Sequence, residues 1–530
     1  MKKVIVCDAI HPVGFEILRA QKDIEVIDAA SVPKDELPAL VKGCDVAITR
    51  SSTDCGKEFI NSVLGLKALV RAGVGVDNVD IDECSKHGII VMNVPTANTI
   101  AAVEMTMCHL LNSARNYVAS VNDLQQNKTW KREKWYGTEL FGKTLGIIGF
   151  GNIGSRVGVR ALGFGMKVIT YDPYIEPSKA TSVGVEYTKN FGDILKCDFI
   201  TIHTPKNKET INMIDEEQIA KMKDGVRLIN CARGGLYNED ALLKNLQNGK
   251  IAFAGIDVFV KEPGNTHPLL DLANVSATPH LGANTLESQE NIARDAAEQA
   301  IQAARGICYP NALNLPIKTE ELPAYVEPFI ELTSKIAYFA AQLSEGAIKN
   351  ITLFANGDIA EHANNMLAFA LVGALKSSLG EAINYVNASF VAEEKGIQTA
   401  IQTKPASGYK NKISVQITTD NGSVKIGGTV FGDDEQRIVT MGDFKTDFKP
   451  KGRMIVFKNT DVPGVIRDVS SILASANINI ADFRLGRGDG GALAVILVDQ
   501  EVSKEVLAKL NALETCIWAR CAYSKICKKE

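Results

Sequence analysis

The sequence predicts an α/β protein with two consecutive α/β domains, followed by a mixed α+β region and a small ferredoxin-like module. Short apolar runs alternate with helical patterns twice, before residue 100 and again from Gly142 onward, which is typical of two parallel sheets. Beyond residue 315, strand-like segments follow one another, and the dipeptide Asn421-Gly422 gives a strong hairpin signal. The 530 residues are enough for about three or four domains.

Composition and charge exclude several classes of protein. Apolar residues make up 45% and charged residues 23% of the chain, as in soluble globular proteins. A formal net charge of −4 argues against a general binder of nucleic acid or of anionic membranes, because both need a basic face. No apolar run reaches the roughly 18 residues of a membrane span. The 11 cysteines are scattered without a CxxC pair, which indicates reduced thiols, a cytoplasmic location and no metal site.

The first α/β domain follows from its apolar runs. Strands are predicted at residues 4–7, 24–27, 46–49, 69–71 and 89–92. A long helix is then predicted for residues 101–120, where apolar side chains recur at helical spacing. These side chains are Val103, Met107, Leu110, Leu111 and Val118.

The second α/β domain begins at Gly142. Its strands are predicted at residues 145–148, 167–170, 199–203, 227–230 and 254–258, with a last strand at 276–280. Two α/β domains with a cleft between them suit an enzyme that binds two substrates.

The pattern of predicted helices and strands changes after residue 315. An amphipathic helix is predicted around Phe329, Leu332 and Ile336, and strands at 413–418 and 424–430 flank the hairpin signal. Residues 445–453 are polar and include Pro450, which predicts a linker. After it, segments at 454–457, 465–476, 478–485, 492–498 and 503–513 give the order β-α-β-β-α of a ferredoxin-like module.

A glycine-rich loop predicts a dinucleotide site of the Rossmann type. Gly149, Gly151 and Gly154 follow a predicted strand and precede a predicted helix, so the backbone can approach a pyrophosphate at the helix N-terminus. Asp172 ends the next strand, where a carboxylate accepts hydrogen bonds from ribose hydroxyls and repels a 2′-phosphate. The motif therefore predicts NAD as the cofactor. The alternative is an ordinary strand-turn-helix without a ligand.

Three further segments place polar side chains just after predicted strands of the second domain. Arg233, Glu262 and His280 lie there. Oxidation of a 2-hydroxy acid needs a base that takes the hydroxyl proton, and histidine suits this task near neutral pH. A neighbouring glutamate raises the histidine pKa and fixes its tautomer, and an arginine holds the substrate carboxylate by two parallel hydrogen bonds. Each residue alone has an ordinary structural explanation; a lone histidine, such as His203, is more often structural.

The motifs at residues 70–80, 230–235, 257–263 and 279–283 together resemble the D-2-hydroxyacid dehydrogenases. The resemblance extends over nearly the whole chain and includes the long branch that oxidises 3-phosphoglycerate. It implies that Arg233, Glu262 and His280 are the catalytic residues and that Asp257 is the acid near the nicotinamide. Further cofactor contacts are implied at Asn152, Ile153, Thr204, Cys231 and Ala283.

The resemblance also implies the position of the substrate. Arg50, Arg71 and Asn98 match positions that contact its carboxylate or phosphate. In similar enzymes a basic segment like that of Arg132 and Lys134 reaches the active site of a neighbouring subunit; the alternative is a solvated basic loop. The family forms dimers or tetramers, so a homo-oligomer is expected.

The domain limits are implied in the same way. The family's substrate domain is flavodoxin-like and discontinuous, here residues 1–97 and 285–317, with a Rossmann NAD-binding domain inserted at 98–284. Residues 318–450 resemble an α+β intervening domain with an assembly or allosteric role. Residues 451–530 resemble the ACT domain, an amino-acid-sensing module.

The ACT resemblance implies a regulatory ligand. Related enzymes bind L-serine between two such domains, and the matching positions are Asn459, Asp461 and Asn479. Asn459 replaces the histidine of these relatives. The alternative is that this module only joins subunits.

Three hypotheses for the function remain open at this point. The first is NAD-dependent oxidation of 3-phospho-D-glycerate to 3-phosphohydroxypyruvate, the first step of L-serine biosynthesis, with amino-acid feedback. The second keeps this chemistry with another 2-hydroxy acid, such as 2-hydroxyglutarate. The third is a dinucleotide-sensing protein that resembles corepressors and binds other proteins.

Overall fold

A five-stranded parallel sheet forms the first α/β domain in a computed structural model that describes residues 1–63, 65–315, 322–488 and 490–524. The elements are β1 (Lys2–Val6), α1 (Pro12–Arg19), β2 (Ile24–Asp28), α2 (Leu37–Val41), β3 (Val46–Thr49), α3 (Lys57–Ser62), β4 (Ala68–Arg71), α4 (Ile81–Lys86) and β5 (Ile90–Asn93). The strand order β2-β1-β3-β4-β5 is flavodoxin-like, as expected. Alternate residues of β1, such as Val4 and Ile5, are buried in different apolar clusters on the two faces of the sheet.

A seven-stranded parallel sheet forms the second α/β domain. Its elements are α5 (Thr99–Arg115), α6 (Tyr117–Gln125), β6 (Thr144–Ile148), α7 (Asn152–Gly163), β7 (Lys167–Tyr171), α8 (Pro177–Thr181), β8 (Glu186–Thr188), α9 (Phe191–Ile194), β9 (Phe199–Ile202), α10 (Glu216–Ala220), β10 (Val226–Asn230), α11 (Glu239–Gln247), β11 (Ile251–Ile256) and β12 (Val275–Ala277). The order β12-β11-β10-β9-β6-β7-β8 contains the doubly wound Rossmann arrangement. Because these strands are parallel, the loops after β6, β7, β9, β10 and β11 meet at one edge of the sheet.

The chain then returns to the first domain through α12 (Leu286–Arg305). Thr285 begins this helix by accepting a hydrogen bond from the Ser288 N–H. The Gln299 amide on α12 donates to the Asn93 carbonyl at the end of β5 (3.1 Å). The first domain is therefore completed by residues far along the chain. In the sequence, its two segments flank the second domain.

The third domain is a six-stranded sheet with helices on one face. Its elements are α13 (Glu327–Leu343), β13 (Ile348–Gly357), α14 (Ala363–Leu379), α15 (Ala388–Glu394), β14 (Gln398–Lys404), β15 (Asn411–Thr419), β16 (Gly422–Phe431), β17 (Glu435–Met441) and β18 (Phe444–Phe448). The sheet order is β14-β13-β15-β16-β17-β18, and its buried face packs with α13 and α14 in one apolar cluster. The hairpin predicted at Asn421-Gly422 is confirmed, since Thr419 pairs with Gly422 across the turn.

The C-terminal domain is a four-stranded antiparallel sheet with two helices. Its elements are β19 (Gly452–Asn459), α16 (Val465–Ser475), β20 (Ile480–Gly488), β21 (Gly491–Val498), α17 (Lys504–Asn511) and β22 (Cys516–Ser524), in the sheet order β20-β21-β19-β22. The ferredoxin-like prediction is confirmed, with β22 added to the elements found in the sequence.

Three predicted elements differ from the structure. Residues 445–453 are not a linker: Phe444 and Phe448 are buried and the polar residues between them complete strand β18, while β19 begins at Gly452. The helix predicted for 101–120 is broken at Asn116, whose backbone is left-handed (φ 50°). The last strand of the second sheet ends at Ala277, because the chain turns at His280 (φ 55°).

Within the described residues, no helix is both long and apolar enough to span a membrane. The expected boundary between residues 317 and 318 lies outside the described residues, and the other domain limits stay predictions.

Candidate active site

The glycine-rich loop connects β6 to α7 at the edge where the strands of the second sheet end. Gly149 has a left-handed backbone (φ 88°), and Gly151 directly precedes α7. A Cβ atom on Gly154 would lie 2.1 Å from the Gly149 carbonyl oxygen, so only glycine fits this turn. The loop thus leaves the N-terminus of α7 accessible, which is the backbone arrangement that a pyrophosphate requires.

Two polar side chains border this loop. Asp172 follows β7, and its carboxylate accepts hydrogen bonds from the Phe150 N–H (2.8 Å) and the Tyr174 N–H (2.9 Å). Thr204 follows β9 and packs against Gly149, and its buried hydroxyl has no hydrogen-bond partner among the described residues. A buried hydroxyl without a partner is costly, so it is suited to a ligand in the loop. These features fit a bound dinucleotide.

His280 and Glu262 form a hydrogen-bonded pair beyond strands β11 and β12. The imidazole Nδ1 lies 2.8 Å from the Glu262 carboxylate, which also accepts a hydrogen bond from the Phe259 N–H (3.1 Å). The hydrogen bond to Glu262 raises the pKa of His280, although burial opposes this. For Glu262 burial favours a higher pKa, but hydrogen bonds from His280 and Phe259 outweigh it and lower the pKa. The pair leaves Nε2 of His280 without a hydrogen-bond partner in the described chain.

Asp257 holds the loop that presents His280. It is fully buried, and its carboxylate accepts hydrogen bonds from the Leu281 N–H (2.7 Å), the Gly282 N–H (2.8 Å) and the Thr278 hydroxyl (2.6 Å). Its carbonyl accepts from the His280 N–H (2.9 Å). These contacts stabilise the left-handed backbone of His280, which an ordinary side chain adopts at a cost. A direct contact of Asp257 with the nicotinamide stays a prediction.

Arg233 extends from the end of β10 across the cleft to the first domain. Its Nε lies 3.2 Å from the Asp77 carboxylate. A Cβ atom on Gly75 would lie 2.4 Å from its guanidinium, so the glycine makes room for it. Asn230 fixes its backbone, since the amide donates to the Arg233 carbonyl (2.8 Å). Arg233 therefore lies between the two α/β domains.

Arg50 and Arg71 bring further positive charge to this cleft from the first domain. Burial lowers the pKa of Arg71 to about 10, and the positive charges of Arg233 and Arg50 contribute to this lowering. The Nε of Arg71 is buried without a hydrogen-bond partner, and the Arg50 guanidinium donates to the Ala9 carbonyl (3.0 Å). The cleft thus holds three guanidinium groups. Within the described chain, the carboxylate of Asp77 is the one that forms an ion pair with them.

The remaining predicted residues differ in burial and in the element that carries them. Burial raises the pKa of the Cys231 thiol, and the negative charge of the neighbouring Asp257 raises it further. The amide oxygen of Asn98 is buried without a hydrogen-bond partner among the described residues. Asn152 and Ile153 begin α7, and Ala283 is half-buried after the His280 loop. Arg132 lies on an exposed single turn of 3-10 helix.

The three predicted effector residues lie in the C-terminal domain, where the Asn459 amide oxygen accepts a hydrogen bond from the Asp461 N–H (2.9 Å). Asn459 is buried, and its amide nitrogen has no hydrogen-bond partner in the described residues. Asp461 is paired with Arg487 (3.2 Å), and Asn479 donates to Asp499 (2.6 Å).

Sequence reasoning missed two residues of the site. His109 on α5 is buried, with its ring nitrogens 3.0 Å from the Thr278 hydroxyl and 3.1 Å from the Ser276 hydroxyl, so it supports the hydroxyl that binds Asp257. A polar residue within the apolar stripe of α5 was the available signal. Asp77, the partner of Arg233, lies inside the motif at residues 70–80, but the motif alone assigns it no role.

His203 directly follows β9, and its carbonyl packs against Gly149 of the glycine-rich loop; whether it is structural or packed near the cofactor stays a prediction. Burial lowers its pKa to about 3, and its ring is hydrogen-bonded to Thr201 (3.0 Å).

Family comparisons agree with this arrangement. The family model "D-isomer specific 2-hydroxyacid dehydrogenase, NAD binding domain" matches residues 107–282, that of the "D-3-phosphoglycerate dehydrogenase intervening domain" matches 325–442, and that of the "ACT domain" matches 453–515. The D-3-phosphoglycerate dehydrogenase of Bacillus subtilis (strain 168) is 37% identical over 517 residues, which cover 96% of this chain and 97% of the relative. That of Methanocaldococcus jannaschii is 36% identical over 517 residues, covering 97% and 98%.

The chain belongs to the D-3-phosphoglycerate dehydrogenase family.

Solved structures resemble a part of this dehydrogenase. The TT0316 protein of Thermus thermophilus is 32% identical with a TM-score of 0.54, over 59% of this chain and 99% of that one. D-lactate dehydrogenase of Aquifex aeolicus, complexed with NAD and lactic acid, is 30% identical with a TM-score of 0.53, over 60% and 100%. The dehydrogenase is NAD-dependent, and its second domain is the NAD-binding domain.

Proposed function

We propose that this dehydrogenase oxidises 3-phospho-D-glycerate to 3-phosphohydroxypyruvate, the first step of L-serine biosynthesis. The choice of substrate rests on the cleft of Arg50, Arg71 and Arg233. It holds three guanidinium groups but one carboxylate paired with them, that of Asp77. A substrate with a carboxylate and a phosphate at its two ends supplies the missing negative charge. The unphosphorylated hydroxy acids leave part of this charge unpaired.

The geometry of the site supports the following roles for its residues. NAD, when bound, accepts the hydride from C2. Arg233 orients the substrate carboxylate, and His280 takes the hydroxyl proton at Nε2, the nitrogen that Glu262 leaves open. Glu262 stabilises the imidazolium that forms. The phosphate or carboxylate side of the substrate is then held by Arg50, Arg71 and Asn98. The cofactor is contacted by Asn152, Ile153, Asp172, Thr204, Cys231 and Ala283.

NADH consumption with a panel of oxo acids tests this function. We expect a strong preference for 3-phosphohydroxypyruvate over hydroxypyruvate and 2-oxoglutarate, and a matching rise in the KM of the phosphorylated substrate in Arg71→Gln. Preference for 2-oxoglutarate would keep the mechanism and replace the substrate. No turnover by a folded protein that binds NADH would favour the dinucleotide-sensing hypothesis.

A histidine pair tests the base. We expect His280→Asn to lose ~10²–10⁴ in turnover while NADH still binds. His87→Asn is the matched control, because His87 also lies near a glutamate (3.6 Å from Glu83) but on the turn that ends α4, outside the cleft. Equal activity of the two variants would contradict the assignment of the base.

We also propose that the dehydrogenase is a homo-oligomer that forms contacts through α6 and residues 130–141. Large apolar side chains are exposed there, above all Trp130 (78%), Tyr136 (82%) and Phe141 (77%). Arg132 lies between them, so an adjacent copy would receive its charge. Lys134 is instead paired with Asp123 of its own chain (3.1 Å). Loss of the oligomer in Trp130→Glu, with loss of activity, is the expected result; a monomeric wild-type protein in light scattering would refute it.

L-serine remains the proposed effector of the ACT domain. The open amide of Asn459 supports a ligand there, whereas Asp461 and Asn479 would have to exchange their present partners. Calorimetry of wild-type protein and Asn459→Ala with L-serine tests this, and absence of binding to the wild type would refute it. A cytoplasmic location likewise stays a proposal, supported by the free thiols of all described cysteines.

A further inference from the structure

Four segments of the first domain meet around Asp8, at the edge of the sheet that carries the cleft arginines. These segments follow β1, β2, β3 and β4, whose carboxyl ends lie side by side because the strands are parallel. Asp8 lies after β1, Lys34 after β2, and Arg50 begins the loop after β3. Arg50 is one of the three guanidinium groups of the cleft, so the residues that hold its loop influence how the cleft binds an anion.

The Asp8 carboxylate holds the loop of residues 50–53. Its side chain is only 1% exposed. One carboxylate oxygen accepts a hydrogen bond from the Arg50 N–H, and the other accepts from the hydroxyls of Ser52 (2.8 Å) and Thr53 (2.7 Å). Both ends of the loop are therefore fixed to a single buried carboxylate.

A second side chain fixes the same loop. The Asn78 amide donates to the carbonyls of Arg50 (2.7 Å) and Thr53 (2.6 Å). The Arg50 guanidinium, in contrast, donates to the neutral carbonyl of Ala9 (3.0 Å) and forms no ion pair within the described residues. The backbone of the loop is thus held firmly, while the guanidinium has a neutral partner that an anion can replace.

Lys34 supplies the counter-charge of Asp8. Its ammonium group lies 2.5 Å from the Asp8 carboxylate, and it also donates to the Cys7 carbonyl (3.0 Å) and the Thr53 hydroxyl (3.0 Å). Burial favours a higher pKa of Asp8, but its hydrogen bonds, above all that from Lys34, outweigh burial and lower the pKa. Asp8 is therefore ionised, and in the part of the chain that the structure describes Lys34 is the cation paired with it.

The charge of Asp8 also acts on the cleft. Burial and the two other cleft arginines lower the pKa of Arg71, and the negative charges of Asp77 and Asp8 oppose this. Without Lys34, the buried carboxylate of Asp8 would attract the Arg50 guanidinium and repel an anionic substrate. Two unit charges about 10 Å apart, at an effective dielectric constant of about 20, change an affinity on the order of tenfold.

We propose that Lys34 is a positioning residue that acts through Asp8: it cancels the charge of the carboxylate that fixes the Arg50 loop, and so makes the cleft selective for a phosphorylated substrate. This inference rests on the proposed function, because the phosphate of that substrate adds about two negative charges to its carboxylate. An uncompensated Asp8 would therefore repel the phosphorylated oxo acid more strongly than its unphosphorylated analogue.

Steady-state kinetics of Lys34→Gln in the full chain test the proposal, with 3-phosphohydroxypyruvate and hydroxypyruvate compared at equal ionic strength. Glutamine keeps a hydrogen-bond donor and removes the charge. We expect the KM of the phosphorylated substrate to rise about tenfold, with a smaller rise for hydroxypyruvate and a smaller effect on kcat, since the reacting groups are unchanged.

Lys67→Gln is the matched control. Lys67 pairs with the Asp45 carboxylate (2.6 Å), and the two residues directly precede β4 and β3, at the opposite edge of the same sheet. This variant also leaves a carboxylate without its lysine, but far from the cleft, so neither KM should change.

Lys34→Arg separates charge from side-chain shape. Arginine keeps the positive charge and can still bind a carboxylate, so it should restore most of the preference for the phosphorylated substrate. The proposal is overturned if Lys34→Gln behaves like Lys67→Gln, if it raises both KM values by the same factor, or if Lys34→Arg is impaired as much as Lys34→Gln.

The wild-type protein separates this inference from the proposed function. If it shows no preference for the phosphorylated oxo acid, the proposed substrate is wrong, and the same variants are compared by the KM of the preferred oxo acid, which also carries a carboxylate. A higher KM in Lys34→Gln, but not in Lys34→Arg or Lys67→Gln, would still support the role of Lys34. Equal KM values in all of them would overturn it.

Discussion

Glu262→Gln tests how the cleft sets the protonation of His280. The contact is 2.8 Å, and the side chains of His280 and Glu262 are 47% and 38% exposed. A hydrogen bond between charged groups is worth about 1.5–3 kcal/mol, and this exposure reduces it to roughly 1–1.5 kcal/mol. We therefore expect kcat/KM to fall about 5- to 13-fold at neutral pH.

The pH dependence gives the sign of the effect. Glu262 raises the pKa of His280, so glutamine lets that pKa fall back toward its ordinary value. Oxidation needs the neutral imidazole, so the acid limb of its kcat/KM profile should move to lower pH. Reduction needs the imidazolium, so its alkaline limb should move to lower pH as well, and reduction loses more at neutral pH.

The assay is steady-state turnover in both directions across pH. Glu83→Gln is the control, because Glu83 lies beside His87 (3.6 Å) in a histidine–glutamate pair on α4 of the first domain. Unchanged profiles in Glu262→Gln, or equal shifts in the control, would refute the idea that this pair sets the protonation of the base.

Three other changes test the cofactor loop and the core. Gly154→Ala should abolish NADH binding, measured by fluorescence, because its Cβ meets the Gly149 carbonyl; Gly163→Ala, with open space around its Cβ, should bind normally, and binding by both would contradict the close approach. Asp172→Asn should raise the kcat/KM ratio of NADPH to NADH about fivefold or more by removing a like-charge repulsion of roughly 1 kcal/mol; an unchanged ratio would exclude Asp172 from selecting the cofactor. Tyr237→Phe should lower the free energy of unfolding by about 0.5–1.5 kcal/mol, measured in urea, since the fully buried hydroxyl donates to the Ile229 carbonyl (2.9 Å); no change would mean that this bond is replaced.

Local patterns predicted the parts of the molecule that local chemistry determines. The glycine loop before α7 and the hairpin at Asn421-Gly422 both depend on backbone conformations that few residues adopt, so the residue types reveal them. The position of His280 after the last strand of the second sheet was predicted from the apolar run before it, although the strand itself proved shorter.

Other features depend on residues that are distant in the sequence. The support of Asp257 by Thr278 and His109 requires knowledge of how α5 packs on the sheet. The pairing of β13 with β14 and with β15 joins segments that are distant in the sequence, and no sequence pattern revealed its register. The charged residues at 445–453 made this segment look polar, so it was predicted as a linker. The buried positions of Phe444 and Phe448, at the two ends of strand β18, were not recognised.

The return of α12 to the first domain has a consequence for synthesis on the ribosome. The edge strand β5 binds the segment after α12, since the Leu313 N–H donates to the Val91 carbonyl (2.8 Å) and the Asn314 amide oxygen accepts from the Val91 N–H (2.9 Å). Strands β1 to β5 therefore emerge long before the segment that completes their domain, while the inserted NAD-binding domain is continuous in sequence. The NAD-binding domain can fold first during translation, and the earliest part of the chain must wait for the later part.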